Sequence, residues 1–407
     1  MTQTVDLPLP ATRSAENKLV GGVCFAHFVS HYYIMLLAPL FVFVREDYGV
    51  SYTELGLALT AFNVTSTMLQ TPMGFLVDRV SARVVLIAGL LLSAIAFAIA
   101  GLVHSFWVFV VMFGVAGLGN TAYHPADYAL LSQHVAPERL GRVFSFHTFA
   151  GMAGNAATPP TLLYLYAVAG WRGAFLAAAA LGLVAALVLA WQGEPTPPVK
   201  AAKARRSDTA AASPEGWRLL LSPPILINLV FFVMLSFCTG GLNNYLVVGL
   251  GALYATPLAV ANTALTALLI MSAVGVLAGG ILAGRTLRHG MVAACGLLAT
   301  AAVCMLVGLV DFNALTLVLM MAAAGFCSGL TMPSRDLIVR AVTPPGAYGR
   351  VFGFVSTGFN IAGIVSPTIF GQLLDHGHPR AMFFFMAACA LLSIATVVLS
   401  TTRKRAG

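Results

Sequence analysis

Gly141-Arg142-Val143-Phe144 returns 208 residues later as Gly349-Arg350-Val351-Phe352. The same offset carries Pro125, Pro137, Phe146 and Pro159 onto Pro333, Pro345, Phe354 and Pro367. Apolar sequences match by accident, but Gly-Arg-Val-Phe at a fixed distance after a proline does not do so readily. The chain therefore reads as one unit written twice in parallel. In a membrane protein that is the mark of a two-bundle transporter, seldom of a channel or receptor.

The composition supplies the membrane. Of 407 residues, 59% are hydrophobic and 9% charged, where a soluble domain carries roughly 25% charged residues. This excludes a disordered chain, a coiled coil and a soluble single-core enzyme. A crossing takes about 20 apolar residues. Spans are predicted at 18–44, 54–77, 83–103, 106–134, 142–166 and 172–192, then at 224–250, 258–283, 290–309, 313–338, 350–374 and 380–400. The expected fold is an all-α membrane protein of twelve transmembrane helices in two pseudo-symmetric six-helix bundles, residues 1–192 and 224–407. Residues 193–223 join them as a linker rich in Pro, Lys and Arg, with a short surface helix expected near Trp217. The first 17 residues are polar and lack the apolar centre of a cleaved signal. The six cysteines lie in apolar runs without C-x-x-C spacing, so they read as small buried thiols.

The net charge of +8 would suggest nucleic acid in a soluble protein. Here it orients the chain. With both tails in the cytoplasm, eighteen of the 22 basic residues fall on the cytoplasmic side. Only Arg45, Arg172 and Arg380 fall outside, and Arg335 lies near the inner end of span 10. That bias fits the positive-inside rule. The expectation is a multi-pass protein of the bacterial inner membrane with lipid as its surroundings, a monomer, with no nucleic-acid partner.

After span 2 comes Gly74-Phe75-Leu76-Val77-Asp78-Arg79-Val80-Ser81-Ala82-Arg83. Gly74 would let two helices approach closely, and Asp78 would meet a helix N-terminus or an Arg at the membrane edge. With Arg142, Arg350 and Asp336, the residues Gly74, Asp78, Arg79 and Arg83 form a candidate cytoplasmic latch for the outward-facing state. The stretch resembles the loop signature of the major facilitator superfamily, with Ser81 where Gly is usual. Ala26-His27-Phe28-Val29-Ser30-His31 in span 1, Asn120-Thr121-Ala122-Tyr123-His124-Pro125 in span 4 and Gly151-Met152-Ala153-Gly154-Asn155 in span 5 resemble its fosmidomycin-resistance branch of bacterial exporters. His31 stands where that branch tends to carry an acid. The resemblance implies transport by alternating access, with spans 1, 4, 7 and 10 lining the cavity.

Ionisable groups inside spans are costly and so are functional candidates. His27 and His31 share a face one turn apart. At ~1.5 Å per residue from Lys18 they lie roughly 14 and 20 Å deep. His124 and Asp127 share a face of span 4, and His147 lies about two turns into span 5. An imidazole can take a proton on one side and release it on the other. His31 or His124, tuned by Asp127 and with His27 and His147 nearby, is expected to couple protons to transport. No acid or thiol spacing marks a metal site, and no cofactor is expected.

Arg335 sits at the repeat equivalent of Asp127. It reads either as the opposite charge in a gate with Asp127 or as an anchor for an anionic substrate, with Asp336 able to neutralise it locally. His31, Tyr32, Asn243, Asn244, Arg335 and Asn360 are the candidate substrate residues. A hinge is expected at Gly240-Gly241, and Pro159-Pro160 marks span 5 as kinkable. The absence of nucleotide, protease and hydrolase motifs excludes an enzyme. The sequence points to a secondary transporter exporting a small molecule against protons. Uptake of an organic anion is the alternative, and a non-transporting sensor a remote one.

Overall fold

The computed structural model describes residues 13–193, 218–344 and 348–403. The linker lies almost wholly outside the described residues, as do the side chains of Asp78 and Arg350. Among the described residues there is no strand.

Ten helices are long and apolar enough to cross a membrane. One of them, Pro137–Trp191, crosses twice, because Gly170 turns the chain at φ 68° and ψ 178°. An L side chain rarely adopts that conformation. Pro159 and Pro160 are instead carried within the helix. The helix Tyr52–Arg79 is a further crossing, its hydropathy lowered by Asn63, Thr65, Ser66, Thr67 and Gln70. The twelve expected crossings are therefore all present.

Two spans break where a continuous helix was expected. Span 1 is Arg13–Ile34, then a 3₁₀ turn at Ala38–Leu40 and a short helix Phe41–Tyr48. Span 4 is interrupted at Thr121–Ala122 between Phe106–Asn120 and Tyr123–His134. Pro125 explains the second break: it has no N–H for the carbonyl of Thr121, and its ring crowds that carbonyl. Span 7 runs unbroken from Pro223 to Tyr254, so the helix is not bent open at Gly240-Gly241 in this state. Gly241 is there for contact, since a methyl group at that position would meet Met386 and Phe370.

Spans 2 and 11 pack across the bundles, as do spans 5 and 8. An even number of crossings places both chain ends on one face, here termed the terminal face. At the opposite, distal face the bundles touch. The start of span 2 is capped by Ser51, which accepts from Glu54 N–H at 3.1 Å while Glu54 accepts from Ser51 N–H at 2.7 Å. The next two free N–H groups, of Tyr52 and Thr53, donate to the Asp375 carboxylate of span 11 at 2.7 and 2.8 Å. One bundle thus caps a helix of the other. The contact continues inward through Gly56 against Pro367 and Thr60 Oγ1 donating to the Ile364 carbonyl at 3.2 Å.

Nearer the terminal face the bundles part. Met68, Phe75 and Leu76 of span 2 are exposed. A cavity of about 520 Å³ opens between Phe144, Phe149 and Met152 of span 5 and Val276, Leu277 and Ile281 of span 8. The molecule is closed at the distal face and open at the terminal face. Gly74 accordingly has no atom within 4 Å of where a Cβ would stand, so the close approach expected there is not made in this state.

Losing a cap of this kind costs about 1 kcal/mol, or roughly a fivefold shift between two states. Asp375→Ala should therefore raise the distally open population several-fold. Double electron–electron resonance between spin labels at Glu46 and His378, on a cysteine-free background, would show it. Unchanged distances would mean that Asp375 does not hold this face shut.

Candidate functional site

His27, His124, Asp127 and His147 come from three spans and meet inside the first bundle. His147 Nε2 lies 2.9 Å from Asp127 Oδ2, and His27 Nδ1 lies 3.3 Å from the same oxygen. The rings of His27 and His147 stack at 3.7 Å and 21°. His31 and His124 complete the cluster, 4.7 and 5.3 Å from His27 between ring centroids. Asp127 is fully buried, and His27 and His147 nearly so, whereas His124 and Tyr128 are exposed. His124 is thus the open rim of a closed imidazole–carboxylate cluster. The break at Thr121–Ala122 immediately precedes it and orients the second half of span 4.

Two glycines of span 5 permit this. A methyl group at Gly154 would strike the carbonyl of Phe28, and one at Gly151 would stand 2.8 Å from His27 Nε2 and from His31 Cδ2. Overpacking of this kind costs about 1–3 kcal/mol. Gly151→Ala should abolish transport and lower the melting temperature by a few degrees. Gly21→Ala, where nothing stands within 4 Å, is the neutral control. Equal behaviour of the two variants in a thermal-shift and flux assay would show that the close approach does not matter.

The second bundle carries the opposite charge at the equivalent place. Arg335 lies against the rings of Phe232 of span 7 and Phe359 of span 11, 4.9 and 5.2 Å from their centroids, the two rings themselves packing edge to face at 4.9 Å. Its Nε donates to Asp336 Oδ1 at 2.8 Å. Among the described residues no protein group is hydrogen-bonded to its two terminal nitrogens. Asp127 and Arg335 therefore form no gate pair in this state. Asp127 is engaged by imidazoles inside its own bundle, and Arg335 by Asp336 and two rings inside the other.

The remaining candidates disperse. Tyr32 is buried, its hydroxyl 2.8 Å from Thr161 Oγ1 within the first bundle. Asn243 faces a central cavity with Asn155, Thr239 and Ser328. Asn244 faces another with Asn63, Ser236 and Phe359. Adjacent residues on one helix point about 100° apart, and here that turns the pair toward different cavities. Asn360 lines neither of these cavities. Arg83 is not a latch residue in this conformation. It is buried, and it donates to the carbonyls of Leu189 and Ala190, capping span 6 in the same bundle. Arg79 and Arg142 are exposed, Arg142 with its guanidinium 5.6 Å above the Phe146 ring. Asp336 belongs to Arg335.

Sequence reasoning missed Asp375, because an acid at the end of a span reads as a solvated terminus. It also missed the aromatic contacts of Arg335, because 26 phenylalanines are spread over most of the spans and none stands out.

The family model of the Major Facilitator Superfamily matches residues 23–289 and 244–407. The chain is a member of this superfamily. It is a transporter and not an enzyme. The probable sulfoacetate transporter SauU of Cupriavidus necator is 28% identical over 94% of this chain and 92% of that protein. The D-galactonate transporter of Escherichia coli O6:H1 is 21% identical over 99% of this chain and all of that protein. Among solved structures, a bacterial homolog of the human lysosomal transporter Spinster, in an inward-facing and unoccupied conformation, superimposes with a TM-score of 0.80 at 14% identity. That match covers 96% of this chain and 98% of the other. Both named carriers have a small organic anion in their names.

Proposed function

We propose that this superfamily member takes up a small organic anion with protons, across the bacterial inner membrane, with both termini in the cytoplasm and the molecule here open inward. The observation that carries this reading is the division of charge between the bundles. One holds four imidazoles and a carboxylate, and the other holds, at the repeat-equivalent position, a guanidinium whose two terminal nitrogens have no hydrogen bond among the described residues. A carboxylate or sulfonate suits that guanidinium fork. The exposed His124 gives protons a way into the otherwise buried cluster. The names of the two full-length relatives support the anion.

Uptake is the direction in which an anion needs coupling. Each negative charge entering a cell works against the membrane potential by about 2.3 kcal/mol per 100 mV. A proton carried along cancels that charge and adds its own gradient.

Flux into proteoliposomes tests the proposal, with C2 to C6 carboxylates and sulfonates as the panel. An acidic exterior should drive accumulation, and an uncoupler should collapse it. Gradient-driven loss of preloaded solute would instead establish export. A second reading, export of an apolar drug, draws on the Phe144, Phe149, Val276, Leu277 and Ile281 lining of the open cavity and on the resemblance to the fosmidomycin-resistance branch. Gradient-driven loss of such a compound from preloaded vesicles, with no anion uptake, would select it.

A further inference from the structure

His27 Nδ1, Asp127 Oδ2 and His147 Nε2 lie within 4.8 Å of one another and are buried. We infer that these atoms form a binding site for a divalent transition-metal ion of the zinc class, entered past His124, and that an ion held there stops the transport cycle. The inference uses the cluster described above but does not depend on the proton role proposed for it.

The donor geometry comes first. A tetrahedral zinc with bonds of about 2.0–2.1 Å has ligand–ligand edges of about 3.3 Å. The His27–Asp127 separation is 3.3 Å and the His147–Asp127 separation 2.9 Å. His27 Nδ1 and Asp127 are close without being aligned, and that nitrogen has no hydrogen-bond partner. Two atoms that approach to this distance without pointing at each other can both point at a third.

The second observation is the unmet polar surface. Among the described residues, Asp127 Oδ1 is likewise buried without a partner. Leaving such atoms unpaired costs about 1–3 kcal/mol each, and more where the group is charged. A divalent ion beside them would offset that cost. The third observation is protonation. Stacked at 3.7 Å, the His27 and His147 rings cannot both be cationic without strong repulsion. Neutral imidazole is the form that binds metal. Two or three imidazoles and one carboxylate suit zinc, nickel, cobalt or copper, whereas calcium and magnesium need oxygen-rich shells. His124, exposed at the edge of the cluster and 5.3 Å from the His27 ring, is placed to be the fourth ligand.

Occupancy would tie spans 1, 4 and 5 together through one ion and remove the free imidazoles. Spans that must shift against one another during the cycle would then be held in the terminally open state.

The test uses the full chain, purified in detergent with a non-histidine tag and stripped with EDTA. Titration with ZnCl2 should show one equivalent bound at micromolar affinity or tighter, with calcium and magnesium silent. His147→Gln and Asp127→Asn should each weaken it at least thirtyfold. X-ray absorption on the zinc-loaded wild type, which requires no variant to fold, should show a shell of nitrogen and oxygen with histidine scattering. No stoichiometric binding, binding that survives in both variants, or a shell without histidine would overturn the inference. Flux in metal-free buffer reports separately on proton coupling, so either idea can fail alone.

Discussion

Asp127→Asn should end pH-driven accumulation while leaving exchange of substrate down its own gradient measurable. Asn fills the same volume and can still accept one hydrogen bond from His147. What it lacks is the only negative charge in a cluster of four imidazoles. A proton entering that cluster would have no counter-charge, in surroundings where Asp127 itself is fully buried. Breaking one partner of a buried charged pair costs about 3–5 kcal/mol. At about 1.4 kcal/mol per factor of ten, gradient-driven uptake should fall more than ~100-fold. Counterflow, which needs no net proton movement, separates this from misfolding. Accumulation that persists at wild-type level with the same pH dependence would remove Asp127 from the coupling mechanism.

Arg335→Ala should raise KM for the anion about 10- to 100-fold, with a smaller effect on maximal rate. A hydrogen bond to a charged group contributes about 1.5–3 kcal/mol. The Arg335 guanidinium packs against Phe232 and Phe359 and is held at Nε by Asp336, and among the described residues its terminal nitrogens are left for a ligand. Arg335→Lys should lie between, because an ammonium keeps the charge but loses the planar fork and the stacking. Asp336→Asn should leave the charge while loosening its aim, and so affect KM less than Arg335→Ala. Initial rates across a concentration series would resolve the four proteins. A KM unchanged in the alanine variant would place the anion elsewhere.

The two predictions address opposite halves of one duplicated unit. Asp127 is met from spans 1 and 5, and Arg335 from spans 7 and 11, at the same offset that relates the Gly-Arg-Val-Phe stretches. Duplication kept the crossing and exchanged the charge. The offset is visible in the chain, but what surrounds each charge is not. His27 and Asp127 are about a hundred residues apart in sequence, and no metal-like or relay-like spacing links them. They meet because Gly151 and Gly154 let span 5 close on span 1, and because Pro125 breaks span 4 just before the turn that carries His124 and Asp127. In this state each of the two charges has its partners within its own bundle, so the expected gate pair between Asp127 and Arg335 is not formed here.

Hydropathy, the repeat and the sidedness of the basic residues are properties of local sequence, so the chain by itself determined a twelve-span, two-bundle membrane transporter. In lipid the backbone must satisfy itself, and continuous apolar runs of about 20 residues select helices over a barrel. Tertiary structure alone decided which imidazoles share a carboxylate, which rings hold Arg335, and that Asp375 caps the start of span 2 to close the distal face. The physical reason is that helix rotation and close approach are set by packing between distant spans. A transporter's sequence must also serve more than one conformation, so it does not mark which face is open.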